Sequence, residues 1–216
     1  MLTRLRVRMA DRPGALGRIA ETLGAAGVDI RQVRTLDRAA NRAVVDVLVA
    51  LPSAVLPGAA ARTLDAMPGV RVDGCWQASD SLDLDLGLDA LAETLANPSR
   101  ALPTLVDAAP RVVSAHWAAA LRVPDGAVVR ASWRAPRLAP SPLSEVRPHT
   151  STATDGTRLA AVPLGSGHAL LVGRRNAPPF HPAELHTLGT LARATARLVD
   201  AVPARPNLSL VGNDNA

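Results

Sequence analysis

Apolar and polar residues alternate at the start of the chain, with Leu5, Val7 and Met9 interleaved with Arg4, Arg6 and Arg8. A period of two marks a strand with one buried face. The pattern stops at Asp11-Arg12-Pro13-Gly14, where Pro13 suits the opening of a helix because its missing N–H is not needed there. From Leu16 the period becomes helical: Leu16, Ile19, Ala20, Leu23 and Ala26 share one face, and Gly27 supplies the stop. A second strand is expected over 29–36, a polar turn over 37–41 and a third strand over 43–51. Val44, Val45, Val47 and Val49 predict that this third strand is central and buried on both faces. Ser53 is placed to cap a helix over 54–67, Pro68-Gly69 ends it, and 70–76 reads as a fourth strand. The order β-α-β-β-α-β over residues 1–78 is the ferredoxin-like, split βαβ arrangement.

Residues 79–87 are polar and acidic, hold no period and read as a linker. Short helices are expected over 88–95 and 102–109, then strands over 114–123 and 127–135 joined by Pro124-Asp125-Gly126, a hairpin signal. The Pro-, Ser- and Thr-rich stretch 136–157 predicts a long loop that frames a pocket. Two more strands, 158–164 and 168–174, flank Gly165-Ser166-Gly167. A closing helix is marked by His181 at the N-cap, Pro182 at the first position and Glu184 at the third, with Phe180 and Leu185 spaced as a hydrophobic staple. Its apolar stripe is Leu185, Leu188, Leu191, Ala192, Leu198 and Val199. Residues 201–216 are expected to be disordered. The fold class is therefore α+β, with domains at 1–78 and 88–200.

The run Asp11-Arg12-Pro13-Gly14-Ala15-Leu16, followed by Gly27-Val28-Asp29-Ile30 and later by Pro68-Gly69-Val70, closely resembles the ACT domain. The resemblance implies a βαββαβ domain that pairs side by side into an eight-stranded sheet, with amino-acid ligands at the subunit interface. The stretches 158–165 and 168–173, then Pro179-Phe180-His181-Pro182-Ala183-Glu184-Leu185, resemble the end of a GAF domain. That resemblance implies an antiparallel sheet with flanking helices, which binds a small molecule or serves as a dimerising spacer.

An amino acid offers a carboxylate and an ammonium. The turn at Arg12, Pro13, Gly14 and Ala15 presents backbone N–H groups from a helix N-terminus, which suits an anion. Asp29, heading the second strand, is expected beside the first strand, with Asp11 on the same edge, so that either carboxylate takes the ammonium. The candidate ligand-binding set is thus Asp11, Arg12, Pro13, Gly14, Ala15, Leu16 and Asp29. The plainer alternative is that Asp11 caps the helix and Asp29 only ends a strand.

Composition changes the picture little. The formal charge of +5 first suggests nucleic acid, but all 24 basic residues are arginine, dispersed along the chain, and aromatics amount to 2%. A base-stacking platform is therefore not expected. Cys75 stands alone beside Trp76, which predicts no internal disulfide and a buried structural thiol. The N-terminus lacks the apolar run of a signal peptide, and the most apolar stretch, 43–61, carries Asp46 and is broken by Pro52 and Pro57. A cytoplasmic location without membrane partner is the expectation. His116, His149, His168, His181 and His186 have no metal-ligand spacing, and no nucleophile or phosphate-loop motif is present, so neither metal nor cofactor is predicted. The reading is a non-catalytic sensor of a small ligand, a homodimer that relays to a regulatory protein partner. Its rivals are a dimerising interaction module without ligand and a small enzyme using Glu145, His149 or Asp155 in the 136–157 loop.

Overall fold

The computed structural model describes residues 1–78, 86–141, 146–165 and 167–201. The alternating first segment is β1 (Leu2–Ala10), followed by α1 (Ala15–Ala25), β2 (Asp29–Ala39), β3 (Arg42–Ala50), α2 (Pro57–Asp65) and β4 (Val70–Gln77). The strands form an antiparallel sheet in the order β2-β3-β1-β4. Val45, Val47 and Val49 place β3 in its centre, packed with Leu5, Val7, Ile19, Leu23 and Leu64 beneath α1 and α2.

Three local expectations shift. The β2–β3 turn contracts to Ala40 and Asn41, at φ 49° and 60°. Two left-handed residues match the twist of a tight hairpin, so β2 runs on through Asp37 and Arg38. α2 starts at Pro57, not after Ser53, because Leu56 is held extended by the proline that follows it. α1 buries Ala15, Ile19 and Leu23 and leaves Leu16 38% exposed, a stripe rotated by one position from the one expected.

The second half comprises α3 (Leu86–Ala96), α4 (Ala101–Val112), β5 (Trp117–Arg122), β6 (Val128–Ala131), β7 (His149–Thr152), β8 (Arg158–Gly165), β9 (His168–Arg174) and α5 (Pro182–Ala201). Its five strands are antiparallel in the order β6-β5-β9-β8-β7. α4 and α5 cover one face, where Leu105, Val106, Leu188 and Ala192 meet Ala118, Ala120, Leu170 and Val172. On the other face, Ala135 and Leu138 pack over Trp117, Ala119 and Leu121. β7 lies inside the stretch expected to be all loop, because His149 to Thr152 find ladder partners on β8 that the sequence pattern alone does not show. Most of the expected linker (79–85) and of the expected disordered tail (202–216) lies outside the described residues, while Leu86 and Gly87 already belong to α3. Among the described residues no helix is long and apolar enough to cross a membrane.

The largest departure concerns the outer face of the first sheet. Alternation predicts that Arg4, Arg6 and Arg8 face solvent together. Arg8 is exposed, but Arg6 is 3% exposed, because the start of α5 and the loop before it cover this face. Gly74, opposite Arg6 on β4, permits the approach: a Cβ there would sit 2.6 Å from the Pro178 ring. A glycine inside a strand often marks such a close encounter.

Candidate functional site

At the β1–α1 turn the Arg12 N–H donates to the Ala10 carbonyl at 3.1 Å, and Pro13 has no N–H to offer. Gly14 adopts φ 79°, a left-handed conformation that favours glycine, and no side chain caps the helix. The Ala15 N–H donates to the Arg12 carbonyl at 3.1 Å, and the Arg18 N–H to that of Gly14 at 3.1 Å. Arg12, Pro13, Gly14 and Leu16 are exposed and Ala15 is buried. Asp11 donates its N–H to Asn41 O at 2.8 Å, and its carboxylate lies 3.7 Å from Arg38 Nε.

Asp29 is not on that edge in one chain. Leu2 and Asp29 both stand opposite Ala50, whereas Ala10 stands opposite Arg42. β1 and β2 therefore run parallel with β3 between them, and α1 carries the chain back from one end of the sheet to the other. The nine residues of β3 separate Asp29 from the turn, about 27 Å at ~3.3 Å per residue. The Asp29 carboxylate instead accepts from Arg31 at 2.8 Å, both side chains being well exposed. Asp11 to Leu16 come together; Asp29 stays apart.

The most buried polar cluster joins the two halves. Arg6 on β1 grips Asp46, its cross-strand neighbour on β3, with Nε–Oδ1 at 2.8 Å and Nη2–Oδ2 at 2.9 Å. The same Nη2 donates to Glu184 Oε2 at 2.9 Å, and Nη1 to Pro179 O at 3.1 Å. Glu184 also accepts from Arg174 at 2.8 and 3.1 Å and from the His181 N–H at 2.7 Å. Arg174 completes its shell on the carbonyls of Val113, Pro178 and Pro179. The Trp76 ring lies against both guanidiniums, at 5.3 Å from Arg6 and 5.2 Å from Arg174. Each of the four charged residues is 3% exposed or less.

The charges hold one another ionised. Burial works against the Arg6 cation, but hydrogen bonding and charge from Asp46 and Glu184 outweigh it and raise its pKa. Burial would raise the Glu184 carboxyl, yet Arg174, Arg6 and the His181 N–H together hold it below the ordinary value. For Arg174 burial prevails over Glu184, and its pKa falls.

The same helix start fulfils the expected capping box. Glu184 takes the His181 N–H, and His181 Nδ1 accepts from the Ala183 N–H at 3.2 Å. That acceptance requires an unprotonated nitrogen. Burial, with the Arg6 charge, depresses the His181 pKa; burial, with Arg134, Arg174 and Arg175, depresses that of His116, whose Nδ1 accepts from the Arg175 N–H. In each histidine the folded pKa is below the unfolded one, so the unfolded chain takes up protons first as pH falls. Glu184 is also depressed, and its contribution is lost at lower pH still. A thermal melt should therefore be flat near pH 7–8, decline below about 6.5 as the histidines protonate in the unfolded chain, and steepen below about 4.3. A melting temperature constant from pH 8 to pH 5 would contradict this assignment.

Of the three residues named for an enzyme, two lie among the described residues, and no hydrogen bond joins them. Asp155 pairs with Arg175 and accepts the Thr157 N–H, His149 lies exposed on β7, and Glu145 is outside the described residues. Cys75 is half-buried, donates to Pro57 O, and burial raises its thiol pKa. Among the described residues no group of His, Cys, Asp and Glu is placed to hold a metal.

The family model of the ACT domain matches residues 3–52, which hold β1, α1, β2 and β3. Residues 3–52 are an ACT domain. α2 and β4 complete its βαββαβ order beyond the matched segment. No curated protein matches the chain. Among solved structures, the crystal structure of an unknown protein from Galdieria sulphuraria is similar to it, with 15% identity over 92% of this chain and 91% of that one. The TM-score of that comparison is 0.33, too low to carry an argument. An ACT domain implies a regulatory, small-ligand-binding module. Here it also supplies Arg6 and Asp46 to the buried cluster, while the second half supplies Arg174 and Glu184.

Proposed function

We propose that the chain is a non-catalytic sensor whose ACT half binds an amino acid at the Asp11 to Leu16 turn, across the interface of a homodimer. The observation that carries this reading is the uncapped helix start at Gly14 within an ACT domain. Pairing of two β2 edges fits the distance between Asp11 and Asp29. An antiparallel edge-to-edge contact sets the start of one β2 beside the end of the other, and so brings Asp29 of one copy toward the turn of the next. It also covers an exposed sheet edge. The second half, an antiparallel sheet with flanking helices as a GAF-like reading expects, serves as the output or second sensor in the cytoplasm, and the Arg6–Glu184–Arg174 cluster is its link to the ACT half. The downstream partner is a regulatory protein.

A ligand at about 100 times its Kd stabilises the folded state by roughly 2.7 kcal/mol, a melting shift of about 5–10 °C for a chain of this size. At least one common amino acid at millimolar concentration should produce such a shift, and Asp29→Ala should remove it. Shifts below one degree across the whole panel would end the sensor reading. The competing reading, a dimerising module without ligand, is favoured by one observation: both aspartates already have arginine neighbours, Arg38 and Arg31.

A further inference from the structure

A cavity of about 310 Å³ lies between the two halves, beside the buried cluster. Arg4 from β1, Arg34 from β2 and Arg111 from α4 line it, together with Asp46 and Glu184. The two carboxylates are already committed: Asp46 gives both oxygens to Arg6, and Glu184 gives both to Arg6, Arg174 and the His181 N–H. Three guanidiniums, those of Arg4, Arg34 and Arg111, thus line this space with two carboxylates that Arg6 and Arg174 already bind.

Arg4 is the sharpest sign of what is missing. Its Nε is buried and has no hydrogen-bond partner among the described residues. Burial, only partly offset by Asp46 and Glu184, depresses its pKa. Arg34 donates to the Thr187 hydroxyl at 3.3 Å. A buried donor without an acceptor is costly, and the planar arginine fork is matched in shape to a carboxylate or phosphate.

We propose that this interdomain cavity is a binding site for a small metabolite bearing a compact oxyanion, carboxylate or phosphate, held by Arg4, Arg34 and Arg111. The site is separate from the β1–α1 turn and does not depend on an amino acid binding there. Because Arg4 and Arg34 come from the ACT half and Arg111 from the other, an anion here clasps the two together.

Titration calorimetry of the full chain with inorganic phosphate and with succinate, each at constant ionic strength set with chloride, tests this. Binding of either probe at millimolar concentration or tighter supports the site, and the preferred probe tells phosphate from carboxylate. Arg4→Met should weaken that binding at least tenfold, with Arg111→Gln weakening it as well. Without ligand, Arg4→Met should melt no lower than wild type, since it removes a buried N–H that has no acceptor among the described residues. Failure of both probes to bind overturns the proposal, as does equal affinity in wild type and Arg4→Met, which would mean anion binding elsewhere on the surface.

Discussion

Glu184→Gln is expected to lower the unfolding free energy by about 3–5 kcal/mol, the usual loss when one member of a buried ion cluster is removed. The amide keeps the shape and can still accept the His181 N–H, so the cap largely survives. What it cannot do is neutralise two guanidiniums. Arg6 retains Asp46, but among the described residues Glu184 supplies the only carboxylate hydrogen-bonded to Arg174, which is 0% exposed. Urea unfolding measures the loss. The double variant Arg174→Met with Glu184→Gln should recover part of it, because the stranded cation is gone, and so give less than the sum of the single changes. A loss under 1 kcal/mol for Glu184→Gln would show that the cluster contributes little.

Trp76→Ala should be comparably damaging, about 3–5 kcal/mol, as for other buried tryptophans. The ring is 4% exposed and lies 5.3 Å from the Arg6 guanidinium and 5.2 Å from that of Arg174. Its loss removes apolar contact area and two cation–ring contacts at once. Trp76→Phe is the informative control. The indole N–H is buried and has no acceptor among the described residues, so phenylalanine keeps a ring face and discards an unsatisfied donor. Its cost should be well under half that of alanine. Equal costs for the two variants, read by the same denaturation, would mean that ring contact with the arginines is unimportant.

The elements were largely legible because their periods are local. Leu5, Val7 and Met9 declare a strand, the valines of β3 declare a centre, and His181, Pro182 and Glu184 declare a helix start. Boundaries slipped where a proline or a tight turn decided them, as at Pro57 and at Ala40-Asn41. The buried cluster was not legible from any single segment. Arg6 looks like one of three solvent-facing arginines, and Glu184 like a surface cap. The covering of the first sheet's outer face depends on α5, which is more than 100 residues away in sequence, and period-two alternation carries no information about it. A signal did exist in the pairing: antiparallel β1 and β3 place Arg6 directly opposite Asp46, and β4 sets Gly74 on the other side of Arg6. A charge pair and a glycine meeting across the middle of an apolar sheet point to a second buried face. Likewise, the expectation that Asp11 and Asp29 share an edge neglected that a strand–helix–strand crossover returns the chain to the opposite end of the sheet.

These features give the ACT half a physical route to the rest of the chain. Arg6 and Asp46 lie in its two central strands and join them to Glu184 through Arg6. Glu184 opens α5, which packs on β8 of the second sheet and shares its core through Leu188 and Ala192. Conversely, loosening α5 should be felt at β1 and β3.

Native-state hydrogen exchange of the full chain tests that linkage most directly. In wild type, the slowest amides of β1 and β3 and those of β9 and α5 should open with the same free energy, and Glu184→Gln should lower both sets together. A Glu184→Gln variant that loses protection in α5 and β9 while β1 and β3 keep theirs would contradict the account, because the two halves would then unfold independently of the cluster between them.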